Sequence, residues 1–548
     1  MADYSDANVS YLDVHNPDAT MVAAAAEYDP VITLAALAGD GSTDDTEGLQ
    51  AYLDLAQASA NHACHIMLGA GKTYKITDTL QIHKGIGLRI MGGGFSMSAG
   101  SDGMDVMNYG CTLMWGGTTN IPMIEVADHA GLSIDGVALN NPDETAGVNG
   151  IQVHLTNAPG VNGARHFYRN MSFNFLDYGW AHEGANYTGD AAGVEVNGDT
   201  YLFDNCDFTA CVSGGVLIDS QGDMGTWLRQ PRFAQLYGAP CITLGTTADN
   251  GATGSGGNLR VDNAFMANSA HFIEAFNVSS SNKGIVVDGL KMDASGYVYR
   301  PIIYSEGLLT GGGAQGRGRG NVVFRNMNMS ESMKCSGTIQ SVTESDGSCL
   351  LHLAHDGASQ AAYALSIHPN MVIHLDNSDI AAYNYSVSGT VTNGIEHTVQ
   401  AAAVAGSGEF TVLTDIAYTS DAATQGTWAN VTPLFRQRGG SSLLIADSYF
   451  TAESWKDASL ILSQNSDYGG GRSSNIVVER CGHFPRPTSS ASGEYITLTD
   501  LESTGSYPFY RFQDMHQTDG YNAPWSEANY GDTGIQARGR LRARARVT

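Results

Sequence analysis

A short motif recurs along most of the chain and limits the kind of fold that the chain can adopt. It consists of an apolar–x–apolar strand followed by a polar pair whose second member is usually Asn or Gly. With that second residue as a marker, the motif occurs at Gly136, Asn170, Asn205, Pro231, Asn263, Gly289, Asn326 and Asn377. The markers lie roughly 26 to 51 residues apart, which is typical of solenoids with constant strands and variable loops. The motif therefore predicts a stack of similar coils.

The residue types at the marker have a conformational explanation. A tight bend between two strands needs a residue with positive φ, which glycine adopts freely and asparagine better than most residues. In stacked coils, the marker asparagines would form a ladder of side-chain amides comprising Asn170, Asn205, Asn263, Asn326 and Asn377. We therefore expect these asparagines, and Asp204 and Asp262 beside them, to have structural roles.

The composition favours β-structure and narrows the possible ligands. The 548 residues include 66 glycines and 14 prolines, and 15% of them are charged, which suits short strands joined by tight turns. The net charge of −28 argues against nucleic-acid binding, which requires a surplus of Lys and Arg, whereas neutral sugars remain suitable ligands. No apolar run is long enough for membrane insertion and the first residues form no export signal, so we expect assembly in the cytoplasm.

The cysteine pattern does not indicate a metal site. The eight cysteines are scattered along the chain, without the spacing that metal-binding cysteines and histidines show. We expect them to be buried thiols that pack as small apolar side chains, and we expect no metal or other cofactor.

Residues 40–57 predict a turn that leads into an amphipathic helix. Asp44 is placed to cap the helix, with Glu47 three residues later in a variant of the capping box. The apolar stripe of this helix would consist of Leu49, Tyr52, Leu53 and Ala56. A helix with one apolar face needs an apolar surface to cover.

Short strands punctuated by glycine follow this helix between Ile66 and Gly94. The turn, the helix and these strands together resemble the start of pectate-lyase-like right-handed parallel β-helix proteins, a group that includes many phage tailspikes. In that family the helix covers the open edge and the apolar interior of the first coil. The resemblance therefore gives Asp40, Asp44 and Asp45 structural roles in a turn and a cap.

The repeats and the resemblance predict an all-β fold, a single-stranded right-handed parallel β-helix (solenoid) with an N-terminal capping helix and an inserted β-module. We interpret the one stretch that breaks the coil period as this module, which would either bind sugar or brace a neighbouring subunit. The predicted division is an N-terminal arm for virion attachment at 1–36, capped β-helix at 37–383, the inserted module at 384–432, further β-helix at 433–504 and a C-terminal segment with a basic alternating strand at 505–548.

Candidate catalytic residues follow from strand geometry, because no sharp catalytic motif occurs. The third strand of each coil is expected to place Glu195, Asp219 and Glu274 on the outer face of one sheet. With coils about 4.8 Å apart and Asp219 two residues beyond the position aligned with Glu195, the two are separated by roughly 8 Å, within the range of an inverting carboxylate pair. Two alternatives stay open: all three residues are solvated acids, or the catalytic site lies between subunits.

Aromatic residues near these strands are candidates for stacking on sugar rings. They are Tyr178, Trp180, Tyr187, Trp227 and Tyr237. Each of them could instead cover the edge of a coil. The sequence lacks the clustered Asp motifs of polygalacturonases and the paired Asp and Lys/Arg pattern of calcium-dependent pectate lyases, so the resemblance supplies no catalytic residues.

The predicted function is that of a phage tailspike, a receptor-binding protein that binds and depolymerises host surface polysaccharide as a glycoside hydrolase. The resemblance implies a homotrimer on the virion, attached through a phage tail or adaptor protein. Two other functions stay open at this point. One is a non-enzymatic adhesive spike or structural tail fibre, and the other is a free polysaccharide hydrolase or lyase.

Overall fold

The structure is a computed structural model. It describes residues 11–13, 36–58, 65–83, 87–93, 110–154, 165–183, 200–219, 225–236, 239–244, 258–267, 269, 271–276, 284–293, 303–306, 321–330, 336–345, 347–355, 372–376, 396–406, 409–417, 426–430, 435–438, 442–451, 461–464, 475–479, 482–484, 496–497, 510–513 and 540–541. The chain divides into two compact units, one of residues 1–235 and 242–265 and the other of residues 236–241 and 266–548.

The first unit contains one described helix and most of the strands β1 to β21. The helix α1 spans Thr46–Ala58. The strands are β1 (Tyr11–Asp13), β2 (Asp40–Asp44), β3 (His65–Met67), β4 (Thr73–Ile76), β5 (Leu80–His83), β6 (Arg89–Met91), β7 (Cys111–Trp115), β8 (Ile124–Ala127), β9 (Ser133–Asp135), β10 (Val137–Asn140), β11 (Ile151–His154), β12 (His166–Arg169), β13 (Ser172–Asn174), β14 (Tyr178–Glu183), β15 (Tyr201–Asp204), β16 (Asp207–Thr209), β17 (Gly214–Asp219), β18 (Gly225–Arg229), β19 (Arg232–Ala234), β20 (Pro240–Leu244) and β21 (Asn258–Ala267).

These strands form three parallel ladders, to which each coil contributes one strand. The first-strand ladder consists of β6, β9, β12, β15, β18 and β21. The second-strand ladder consists of β4, β7, β10, β13, β16 and β19. The third-strand ladder consists of β5, β8, β11, β14, β17 and β20. This is the all-β, right-handed parallel β-helix that the sequence predicts.

The marker residues form the bends between the first and second strands. Asn170, Asn205 and Asn263 have φ values of 47°, 55° and 53°. The predicted amide ladder is present, because Asn205 Nδ2 donates to Asn170 Oδ1 over 3.0 Å and Asn170 Nδ2 donates to Asp135 Oδ1 over 2.9 Å. One marker was wrong by a residue, since the left-handed bend after β18 falls at Gln230, where φ is 51°.

Aromatic side chains stack along the interior of the second-strand ladder. The ring centroids of Phe173 and Phe208 lie 4.8 Å apart, and those of Phe208 and Phe233 lie 5.2 Å apart. Gly179 on the third strand admits this stack, because a Cβ there would lie 2.6 Å from Phe208 Cδ1. Three successive coils of the first unit therefore each contribute one phenylalanine to the core, packed against a close backbone.

Helix α1 covers the first coil as predicted. Its stripe of Leu49, Tyr52, Leu53 and Ala56 is buried. The residue just before the helix is Asp45, whose carboxylate accepts hydrogen bonds from the Ala38 and Gly39 backbone N–H groups at 2.8 and 3.0 Å. Asp45 holds the N-cap position by its backbone, one residue after the predicted Asp44, because its carbonyl oxygen accepts from Leu49 N–H. The predicted side-chain contact is nevertheless made by Asp44, whose carboxylate accepts from the N–H of Thr46, the first helical residue, and from the hydroxyl of Thr77.

Four cysteines of the coil strands and bends lie in the interior. They are Cys111, Cys206, Cys211 and Cys241, and all four are buried thiols outside any disulfide. Burial raises the pKa of the Cys206 thiol to about 12. For these four residues the prediction of buried thiols is confirmed.

The second unit contains further coils and a different kind of sheet. Its strands are β22 (His271–Phe276), β23 (Ile285–Asp293), β24 (Ile303–Glu306), β25 (Asn321–Ser330), β26 (Ser336–Ser345), β27 (Ser348–His355), β28 (Val372–Asp376), β29 (Glu396–Gly406), β30 (Glu409–Ala417), β31 (Gly426–Asn430), β32 (Phe435–Arg438), β33 (Ser442–Ala446), β34 (Tyr449–Thr451), β35 (Ile461–Gln464), β36 (Asn475–Glu479), β37 (Gly482–Phe484), β38 (Ile496–Thr497), β39 (Tyr510–Gln513) and β40 (Arg540–Leu541). The parallel pairs β23–β25–β33–β36 and β22–β24–β32–β35–β39 continue the coil pattern.

The inserted module is a closed antiparallel barrel of the six strands β26 to β31. It begins at Ser336, so the predicted start at residue 384 was too late. Strand β28 has the Ile-His-Leu-Asp pattern that predicts a coil strand. It pairs antiparallel with β29 and β31, however, and therefore belongs to the barrel. The marker Asn377 after it lies outside the described residues, and so do the C-terminal arginines other than Arg540.

Candidate functional site

The outer face of the first-strand ladder carries a column of side chains in which two apolar residues are followed by an exposed tryptophan. Register places Ser133, Phe167, Leu202, Trp227 and Arg260 side by side on successive strands. Their neighbours in the strands, such as Tyr168 and Leu228, point into the core and are fully buried. Leu202 is nearly covered, whereas 37% of Trp227 is exposed. The indole is therefore an accessible aromatic surface on a regular parallel sheet.

Trp227 is held in place by its polar neighbours. Its Nε1–H donates to Asp262 Oδ2 over 2.6 Å. The guanidinium carbons of Arg229 and Arg260 lie 5.5 and 5.1 Å from the centre of the indole, within the range of cation–π contacts. The ring is thus fixed at its edge by a carboxylate and flanked by two cations.

The adjacent outer column alternates in charge from strand to strand. It consists of Asp135, Arg169, Asp204, Arg229 and Asp262. Arg229 uses a two-pronged contact to Asp204, with Nε 3.2 Å from Oδ1 and Nη2 2.8 Å from Oδ2. Asp204 pairs with Arg229, and Asp262 pairs with Arg260, so both carboxylates are held by cations of the same sheet, as their predicted structural roles require.

The third-strand ladder corrects the arrangement predicted for the catalytic carboxylates. The neighbour of β17 on one side is β14, and their register pairs Asp219 with Glu183. The Val-Glu-Val pattern at 194–196 therefore does not mark the strand beside β17, and Glu195 itself lies outside the described residues. Glu274 is in β22 of the second unit, where its register partner is Tyr304. The roughly 8 Å separation derived for Glu195 and Asp219 rests on a wrong strand alignment.

The predicted sugar-stacking residues have different surroundings. Trp180 is fully buried among Tyr168, Tyr201 and Phe203, with ring centroids 5.0 to 6.2 Å away, so its expected contact with sugar was wrong. The alternation along β14 turns this indole inward. Tyr178 is half-buried and Trp227 is exposed. Tyr187 and Tyr237 lie outside the described residues.

A polar network on the outer face of the third-strand ladder was not anticipated. Gln81 Nε2 donates to Glu125 Oε2 over 2.9 Å, and the other oxygen of Glu125 is 3.6 Å from His154 Nε2. Just before β11, Asn149 Nδ2 donates over 3.3 Å to Oε1 of Gln152, which lies in β11 in register with Glu125. The Glu125 and His154 side chains are both partly accessible, so this face can exchange hydrogen bonds with a polar ligand.

A second unanticipated feature is a polar strip, partly buried, on the outer face of the second-strand ladder. Ser172, Asp207 and Arg232 lie in register on successive strands, beside the column of Asn174 and Thr209. Burial raises the pKa of Asp207 to about 6, and Arg232 opposes that rise. Asp207 can thus hold a proton close to neutral pH, as a general acid must. No sequence signal marks it, because Asp-Phe-Thr reads as an ordinary strand.

The described residues provide neither a metal-binding cluster nor a membrane-spanning helix. No group of three or more His, Cys, Asp or Glu side chains within the described ranges is arranged to hold a metal ion. In the same part of the chain, no helix has the length and apolar character needed to span a bilayer.

Comparison with known proteins finds similar solved structures at low sequence identity and low TM-score. No family model matches the sequence, and no curated protein matches it. The chain is similar to the solved structure of PfbA, a surface adhesin of Streptococcus pneumoniae, with 11% identity, a TM-score of 0.30 and coverage of 57% of this chain and 88% of that one. It is also similar to WceF of Pantoea stewartii, a glycan biofilm modifying enzyme with a tailspike-like parallel β-helix fold, with 10% identity, a TM-score of 0.32 and coverage of 72% and 59%. The Dettilon tailspike protein matches with 12% identity, a TM-score of 0.28 and coverage of 77% and 94%.

Proposed function

We propose that the protein is a phage tailspike that binds host surface polysaccharide and depolymerises it. The observation that carries this proposal is the Trp227 surface, defined here as Trp227 with Arg229, Arg260 and Asp262. Sugar sites combine an aromatic ring with a few fixed polar groups that set orientation. This surface supplies both on a rigid sheet, where the ring is already held before any ligand arrives.

Depolymerisation by glycoside hydrolysis generally uses a pair of carboxyl groups, and we assign Asp219 to one of these positions. Its register partner Glu183 replaces Glu195 in the proposal. Adjacent parallel strands lie about 4.8 Å apart, close to the 5–5.5 Å expected of a retaining pair and shorter than an inverting pair needs. The proposed reaction is therefore hydrolysis with retention, with one residue as nucleophile and the other as acid and base. Glu274 stays a prediction for the second unit.

The proposed assembly is a homotrimer on the virion, joined to a phage tail or adaptor protein. Light scattering on the purified protein should then give three times the 57.9 kDa of the single chain. A monomer would instead favour a free polysaccharide hydrolase or lyase.

The function is tested by incubating the protein with surface polysaccharides from a panel of bacterial hosts and following chain length by size-exclusion chromatography with mass spectrometry. We expect discrete oligosaccharides from at least one polysaccharide, their loss in Asp219→Asn and Glu183→Gln, and weaker binding in Trp227→Ala. Phe167→Ala is the control, because it removes an aromatic ring from the same outer column but leaves the Trp227 surface intact.

The outcomes separate the candidate functions. Binding that depends on Trp227 without any shortening of the polysaccharide would identify a non-enzymatic adhesive spike. Equal loss of binding in Trp227→Ala and Phe167→Ala would remove the Trp227 surface from the proposal. Absence of binding to every polysaccharide would contradict the proposed function as a whole.

A further inference from the structure

The two arginines of the Trp227 surface differ in how far their hydrogen-bonding groups are used. Arg229 makes the two-pronged contact to Asp204 through Nε and Nη2. Arg260 contacts Asp262 through Nε alone, at 3.0 and 2.9 Å from the two carboxylate oxygens. The terminal nitrogens of Arg260 are therefore not used in its ion pair, and 51% of its side chain is exposed.

The carboxylates of this surface are already occupied. Both oxygens of Asp204 accept from Arg229. Asp262 accepts from Trp227 Nε1 and from Arg260, and 16% of its side chain is exposed. What the surface presents to solvent is thus an indole with an incompletely used guanidinium 5.1 Å from its centre.

This local arrangement runs against the charge of the whole chain. With a net charge of −28, most of the protein surface repels anions. A guanidinium with free terminal N–H groups beside an aromatic ring is, by contrast, a recognition element for carboxylates and phosphates.

We infer that the Trp227 surface recognises an acidic sugar, whose ring stacks on Trp227 while its anionic group accepts hydrogen bonds from the terminal nitrogens of Arg260. The inference rests on the proposed function and names its substrate class as a polysaccharide with uronate or phosphate groups. Arg260 acts here as a binding residue, whereas Arg229 flanks the ring while its Nε and Nη2 are engaged by Asp204.

The inference can be tested with simple sugars, which do not require the host polysaccharide. Saturation-transfer NMR is performed on the full-length protein with methyl β-glucuronide, glucose 6-phosphate and methyl β-glucoside as probes. We expect Arg260→Gln to reduce the saturation-transfer signal of at least one of the two acids roughly ten times as strongly as it reduces the signal of the neutral sugar. The reason is that the variant loses a hydrogen-bonded ion contact. Which acid responds distinguishes a carboxylate from a phosphate ligand.

Matched variants separate local contacts from a general change in charge. Arg169→Gln removes the same charge from the same ladder, but Arg169 contacts Phe167 and lies three strands from Arg260, so we expect no effect. Arg260→Lys keeps the charge without the planar fork and should weaken binding partly. Preserved binding of the neutral sugar in Arg260→Gln shows that the Trp227 surface is still folded.

Three results would overturn the inference. If acids and neutral sugar bind equally and Trp227→Ala abolishes both, the sugar surface stands but its acidic specificity is wrong. If Arg169→Gln has the same effect as Arg260→Gln, the preference is a long-range charge effect. If none of the probes saturates, the Trp227 surface is not a sugar site, and the proposed function loses its main support as well.

Discussion

Single residues in the bends of the coils carry a conformational requirement that can be measured. Asn205 has a φ of 55° and donates its amide to Asn170. Asn205→Ala removes this hydrogen bond. It also places alanine, which lacks the local side-chain hydrogen bonds that let asparagine adopt a left-handed conformation, at a cost of about 1–2 kcal/mol. Asn205→Gly loses the same hydrogen bond but adopts this φ freely. We expect calorimetry to give a lower melting temperature for Asn205→Ala than for Asn205→Gly, and equal values would contradict the conformational argument.

A buried histidine should make the stability of the first unit depend on pH. His166 is fully buried, with Nε2 2.7 Å from the His129 carbonyl oxygen and Nδ1 3.2 Å from the Tyr168 hydroxyl. Burial is the main cause that lowers its pKa from 6.5 to about 3; the nearby His129 and His182 rings act in the same direction, and the hydrogen bond to the His129 carbonyl opposes them. Between these two pKa values, His166 is therefore protonated in the unfolded chain and neutral in the folded chain. The stability due to neutral His166 is complete above about pH 6.5 and is lost as pH falls towards 3.

The histidine effect is measured as the difference in urea midpoint between pH 7.5 and pH 5. We expect a smaller difference in His166→Gln than in the wild type, because the variant has no group to titrate at that position. His83→Gln is the control, since His83 is an exposed histidine on the same unit. An unchanged pH difference in His166→Gln would show that other groups control acid unfolding.

At the scale of elements, local sequence patterns predicted most of the coils. They were misleading where the same apolar alternation fits both a parallel coil strand and an antiparallel barrel strand. The left-handed bends at Asn170 and Asn205 follow from a single residue's backbone preference, so sequence reveals them directly. Strand β28 shows the same apolar alternation as a coil strand, and only its antiparallel partners assign it to the barrel. The same ambiguity explains why residues 194–196 were predicted as the strand beside β17, whereas the strand that pairs with β17 is β14. The burial of Trp180 and the partial burial that raises the pKa of Asp207 depend on the folded surroundings, which no local sequence pattern expresses.

The barrel should be removable, because coil strands on either side of it pair with each other. Ile303 of β24 is in register with Phe435 of β32, and Val322 of β25 is in register with Leu443 of β33. We expect a variant in which residues 331–434 are replaced by the sequence 294–302, which joins β23 to β24, to retain the β-sheet circular dichroism and cooperative melting of the parent. Loss of cooperative melting would show that the coils need the barrel. Loss of polysaccharide binding alone would assign the barrel to sugar binding, and loss of the oligomer alone would assign it to bracing a subunit.

At the scale of the whole molecule, the net charge of −28 and the Trp227 surface act on an acidic polysaccharide in opposite directions. The general field repels the polymer over a distance set by salt, about 30 Å at 0.01 M and 8 Å at 0.15 M. The contact with Arg260 is short-ranged and is screened much less. Raising salt over this range should therefore remove the repulsion before it weakens the contact.

We expect the association rate constant for an acidic polysaccharide that binds the protein to rise between 0.01 and 0.15 M NaCl, when measured by surface plasmon resonance with the polysaccharide immobilised. The dissociation rate constant should change less, because it reports the contact at Trp227 and Arg260. A carboxyl-reduced form of the same polysaccharide is the control and should associate at a rate independent of salt. A monotonic fall in the association rate with salt would mean that a basic surface guides the polymer to its site, and the net negative charge of the chain would then be irrelevant to recognition.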